Sequence, residues 1–72
     1  EKVMAALREM PAVYRVPVVL RDLRGMSTEE AAELLRVKTQ TLKSRLHRGR
    51  TFLRSRLQEF AGGLSLHNTA QA

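Results

Sequence analysis

Ser27-Thr28-Glu29-Glu30-Ala31-Ala32-Glu33-Leu34-Leu35, then Arg36-Val37-Lys38, then Thr39-Gln40-Thr41-Leu42-Lys43-Ser44-Arg45-Leu46-His47-Arg48-Gly49-Arg50 decides how this chain folds. Its start has the form of a capping box. The Ser27 hydroxyl can accept from the Glu30 N–H while the Glu30 carboxylate accepts from the Ser27 N–H, and acids in a first turn suit the helix dipole. A short helix from Thr28 to Leu35 is expected. After the break at Arg36-Val37-Lys38, Thr39 is a fair N-cap for a long last helix. In that helix Leu42, Leu46, Gly49, Leu53, Leu57 and Phe60 recur at steps of three and four, one narrow apolar stripe. Opposite it fall Gln40, Lys43, Ser44, His47, Arg48 and Thr51. Ala32 is small where two helices must approach, Val37 plugs the turn, and Leu42 anchors the second helix. That is the layout of a helix-turn-helix.

Upstream, Val3, Met4, Leu7 and Met10 mark a helix from Lys2 to Glu9, ended by Pro11. Pro11 fits the first position of a second helix reaching about Leu23. The middle of that helix, Tyr14-Arg15-Val16-Pro17-Val18-Val19-Leu20, reads locally as strand. With no second strand to pair with, helix is the better reading, and Pro17 should kink it and free the Val13 carbonyl. Gly25 breaks the chain before Ser27. Downstream, Gly62 and Gly63 stop the last helix. The expected fold is all-α, a four-helix domain over residues 1–61 with a long basic recognition helix, followed by a disordered tail over residues 62–72.

The chain of 72 residues carries a net charge of +6, but its distribution matters more. Up to Glu33, six acids face five bases; from Leu34 to Gln58 there are eight bases and no acid. A solvated helix normally intersperses acids as i,i+4 partners, so this run points to a polyanion, nucleic acid before membrane. At this length one thin core forms and no deep cavity. No apolar run approaches the ~20 residues of a membrane span, and Glu1-Lys2-Val3-Met4 does not start a signal peptide. The lack of cysteine excludes disulfides and thiolate metal sites and suits a reducing cytoplasm. A start at Glu1 suggests a missing N-terminal part.

Four segments together resemble region 4 of the extracytoplasmic-function (ECF) sigma factors. Met10-Pro11-Ala12-Val13-Tyr14-Arg15 resembles the family's LPxxYR start, and Leu20 to Ser27 its LRDxxGxS stretch. Glu29-Glu30-Ala31-Ala32 matches EEIA, and Thr41 to Arg50 is similar to the TVKSRLHRAR recognition helix. The resemblance covers about Val3 to Phe60. It implies a domain that reads the −35 promoter element for bacterial RNA polymerase, docks on the β-subunit flap and is often sequestered by an anti-sigma factor. Two positions depart from the family's usual glycines. Arg36 stands in the turn, where a positive φ is costly without glycine. Gln40 stands before the Thr41-Leu42 pair, where a longer side chain can shift the preferred promoter sequence.

On this reading Arg48 faces away from the stripe and can fork onto a guanine O6/N7 edge. Lys43 and Ser44 sit on the same face nearer the helix start, and His47 can meet a base or a thymine methyl. Thr39, Gln40 and Thr41 suit phosphate capture at the helix N-terminus. Arg45 and Arg50 flank the stripe as phosphate clamps, with ion pairs to Glu30, Glu33 or Asp22 as the alternative. Arg54 and Arg56 are expected to be solvated or loosely phosphate-facing. The second helix is apolar nearly all round, so Val13, Val16, Val19 and Leu20 are expected to form a partner surface.

Rival functions are weaker. An output domain of a response regulator or quorum sensor shares the motif but not the Pro11-to-Arg15 lead or the His47-to-Arg50 run. A membrane or calmodulin-like target helix needs a wider apolar arc. Ser44 and His47 lack a carboxylate to orient the histidine, so no catalytic residue is expected. His47 and His67 make no metal site by themselves. No cofactor is expected, and the domain alone is expected to be a monomer.

Overall fold

The computed structural model describes residues 2–60. It contains α1 (Lys2–Glu9), α2 (Ala12–Val18) continued by a π-helical turn (Val19–Leu23), α3 (Thr28–Leu35) and α4 (Thr39–Phe60). The expected tail over residues 62–72 lies outside the described residues. The valine-rich stretch is helical, as expected. Pro11, however, is not the first residue of α2 but its N-cap, with φ −56° and ψ 141°. Its carbonyl accepts from the N–H groups of Tyr14 and Arg15 at 3.0 and 2.9 Å. On the other side of this junction the Arg15 guanidinium lies 3.3–3.5 Å from the carbonyls of Leu7, Arg8 and Met10 and caps the end of α1.

Pro17 is fully buried inside α2. It offers no N–H to the Val13 carbonyl. The helix carries on through it and widens one turn later, where the Arg24 N–H reaches back five residues to the Val19 carbonyl at 2.9 Å. Such a turn accommodates one extra residue and shifts the phase of everything after it. Arg21 then holds the loop, donating to the Met26 carbonyl at 2.6 Å, and Gly25 takes a positive φ of 75°.

Both arms of the expected capping box are present: Glu30 N–H to Ser27 Oγ at 3.0 Å and Ser27 N–H to Glu30 Oε1 at 2.9 Å. α3 ends in a Schellman motif. Val37 N–H bonds the Ala32 carbonyl at 3.0 Å and Arg36 N–H the Glu33 carbonyl at 3.1 Å. The residue that turns the chain, Arg36, sits in the left-handed region at φ 58° and ψ 46°, the position for which glycine is the unstrained choice. Thr39, expected as an N-cap, is instead the first residue of α4, and the Lys38 carbonyl accepts from Leu42 N–H at 3.0 Å.

The core is two clusters threaded on α4. Leu42 packs with Ala31 and Ala32, flanked by Leu20, Met26, Leu35 and Val37. One turn on, Leu46 packs with Leu7, Met10 and Val18, flanked by Val3, Tyr14, Phe52 and Leu53. Met4, expected on the inner face of α1, is half exposed. Between α4 and α2 there is no spare room. A Cβ built on Gly49 would lie 2.6 Å from Val18 Cγ2 and 2.8 Å from the Tyr14 carbonyl oxygen.

Candidate nucleic-acid interface

Leu42, Leu46 and Gly49 are buried, so the opposite side of α4 faces out. Thr39, Gln40, Lys43, Ser44, His47, Arg48 and Thr51 are exposed, and Thr41 and Arg45 are half-buried at one flank. Two shallow grooves run along this surface and share Ser44 and Arg48. One is bordered by His47, Thr51 and Phe52. The other is bordered by Gln40, Thr41 and Arg45 of α4 and by Val13 and Tyr14 of α2. Ser44 and Arg48 therefore form the ridge between the grooves.

The bases of α4 divide into two sets. Lys43, Arg45, Arg48 and, further on, the exposed Arg54 have no hydrogen bond or ion pair with any described residue. Arg50 and Arg56 are both engaged. Arg50 grips the Asp22 carboxylate with two donors, Nε to Oδ2 at 2.9 Å and Nη2 to Oδ1. Of the two roles weighed for Arg50, the ion pair with Asp22 is the one formed. The Asp22 carboxyl is held below its ordinary range, chiefly by the hydrogen bonds from Arg50, against an opposing push from burial. The Arg50 guanidinium is raised by the same hydrogen bonding. Arg56, expected to be solvated, meets Glu9 of α1 at 2.9 Å and Glu59 at 3.2 Å, with its guanidinium 5.3 Å from the centre of the Phe52 ring. The acids that neutralise these two arginines come from α1, the π turn and the last turn of α4 itself.

The second helix is less bare than its sequence suggests. Pro17 and Val18 are buried, Tyr14 packs on one core cluster and Leu20 on the other. Val19 is half-buried, which leaves Val13 and Val16 exposed. Val13 lies in the groove beside Thr41 and Arg45, on the side of the basic ridge. Phe52 packs on the Leu46 cluster but sits beside Leu53, one residue off the stripe, so periodicity does not mark it. No cluster of three or more metal-ligating side chains occurs among the described residues, and none of their helices is long and apolar enough to cross a membrane.

Residues 1–53 match the family model described as sigma-70, region 4. Over 53 residues the chain is 49% identical to the ECF RNA polymerase sigma factor SigE of Mycolicibacterium smegmatis, covering 74% of this chain and 21% of that protein. It is 37% identical over 51 residues to the ECF RNA polymerase sigma factor SigW of Bacillus subtilis, covering 71% of this chain and 27% of that one. The chain thus spans about a fifth to a quarter of the curated relatives it matches. With a capped α3, a left-handed turn at Arg36 and an outward basic ridge on α4, the chain belongs to the sigma-70 region 4 family and matches its ECF members.

Proposed function

We propose that this domain recognises the −35 element of a bacterial promoter through α4 while docked on the flap of the RNA polymerase β subunit. The observation that carries the reading is the set of unpaired bases on a face with rigid backing. Lys43 and Arg48 stand on either side of Ser44 and His47 along α4, on the face away from the buried Leu42 and Leu46. Arg48 forks onto a guanine edge. Lys43, Ser44 and His47 read neighbouring base edges. Thr39, Gln40, Thr41 and Arg45 bind phosphates on the flank, where the first N–H groups of α4 are open. Gln40 adds a side chain able to reach the first base, which shifts the preferred sequence.

Val13, Val16, Val19 and Leu20 form the protein-docking surface, with Val13 and Val16 as its exposed part. An anti-sigma factor that covers Val13 also covers the groove bordered by Arg45 and Arg48. The domain works in the cytoplasm and is monomeric by itself.

The test is selection of bound duplexes from a random DNA library. A single enriched motif is expected. Arg48→Ala should relax one position of that motif and weaken binding by about 1–3 kcal/mol. A library that emerges unenriched would sink the promoter reading.

A further inference from the structure

The crossing of α2 and α4 has a pivot and a pin. At Gly49 the two helices touch through backbone and small atoms, since a Cβ there would meet the Tyr14 carbonyl oxygen. A contact at one glycine fixes the distance between the helices, and the seated Leu42 and Leu46 fix which side of α4 meets the core, so a further tie acts on the exact roll within that seat. On one flank of the crossing, Val13 and Tyr14 border Thr41 and Arg45. On the other, Asp22 holds Arg50. At 100° per residue Arg48 and Arg50 point about 160° apart around α4. Tying Arg50 to the scaffold therefore sharpens the outward setting of Arg48 that the buried stripe establishes.

Asp22 sits inside the π turn Val19–Leu23. One extra residue in a turn rotates the downstream residues by roughly 100° relative to an uninterrupted α-helix. The carboxylate that meets α4 thus comes from within the widened turn. A planar two-donor contact constrains orientation as well as distance, which a single contact from a flexible lysine does not.

We propose that Arg50 is a positioning residue, held by Asp22 to set the roll of the promoter-reading helix, and not a phosphate contact. This rests on the reading of α4 as a DNA-reading helix. The sign of one substitution separates the two roles. Asp22→Asn removes a negative charge from a DNA-binding domain. If Arg50 were available to phosphate, freeing it would strengthen binding to every sequence. If Arg50 positions α4, the same change lowers the preference for the selected sequence over random duplex.

The experiment measures the affinity of the folded chain, checked by circular dichroism, for the duplex selected by the parent and for a random duplex, across a salt series. For Asp22→Asn the ratio of selected to random affinity is expected to fall about two- to fivefold, the scale of an exposed ion pair, while random-duplex binding holds or rises. Arg50→Lys keeps the charge and loses the two-donor grip, and serves if the first variant loses helix content. It is expected to lower the ratio with the parent's salt slope unchanged. An unchanged ratio in both variants, or a salt slope reduced by about one in Arg50→Lys, would overturn the inference. A parent chain with no preference to begin with would strike at the promoter reading instead.

Discussion

The two halves of α4 carry three bases each and use them differently. From Thr39 to Arg48 the buried side is anchored by Leu42 and Leu46, and Lys43, Arg45 and Arg48 have no partner among the described residues. From Arg50 onward the apolar residues Leu53 and Leu57 are only half-buried, Arg50 and Arg56 are held by Asp22 and by Glu9 and Glu59, and Arg54 alone is exposed without a partner among the described residues. A base on a helix is thus no mark of a DNA face in itself. What decides is whether the rest of the fold presents an acid at the same azimuth. In this chain Asp22 and Glu9 reach α4 only in its second half, so arginines there are tied that would otherwise be free charges like Arg48.

The sharpest way to break the comparison is through the anchors. Leu42→Ala removes a fully buried side chain and should cost about 2–5 kcal/mol of stability, whereas Leu57→Ala, half-buried, should cost well under half as much. Urea denaturation followed by circular dichroism reads both, and equal losses would mean that the halves are anchored alike. At the junction, Gly49→Ala drives a methyl into the Val18 side chain and the Tyr14 carbonyl oxygen. An overpacking loss of about 1–3 kcal/mol is expected, and a neutral result would show that α2 and α4 can separate freely. The smallest effect comes from acid. The Asp22 carboxyl is lowered in the folded state. Its contribution is therefore present above the unfolded carboxylate range near pH ~3.9 and fades as the pH falls through the folded value. The melting temperatures of the parent and of Asp22→Asn should differ slightly near neutral pH and converge in acid, because a pair this exposed is well screened.

What could be read in the sequence is what depends on near neighbours. The Ser27–Glu30 box spans three residues, and the stripe of α4 repeats within its own helix. The same applies to the left-handed turn, where Arg36 replaces a usual glycine and still takes a φ of 58°. Boundaries at Pro11 and Thr39 moved by one residue, since an N-cap and a first helical residue differ only in backbone geometry. The π turn is hidden because Val19, Leu20 and Leu23 carry no signal of hydrogen-bond spacing. The Asp22–Arg50 tie joins residues 28 apart, and only the path through Pro17 and the widened turn brings them together. Sequence offers Glu30, Glu33 and Asp22 as acids that Arg50 could meet, and which of them it meets is the part of the site that composition and periodicity do not encode.

The division of α4 into free and tied bases is tested most directly by the salt dependence of DNA binding for Arg48→Ala and Arg56→Ala, each measured against the parent on the selected duplex. Both variants lose one positive charge from the same helix. Arg48→Ala is expected to lose about 1–3 kcal/mol and to relax one base position. Arg56→Ala, already neutralised by Glu9 and Glu59, is expected to keep the parent's salt slope and base preference. Equal losses of affinity and slope in the two variants would contradict the account, because charge alone and not its partners would then decide which arginines meet DNA.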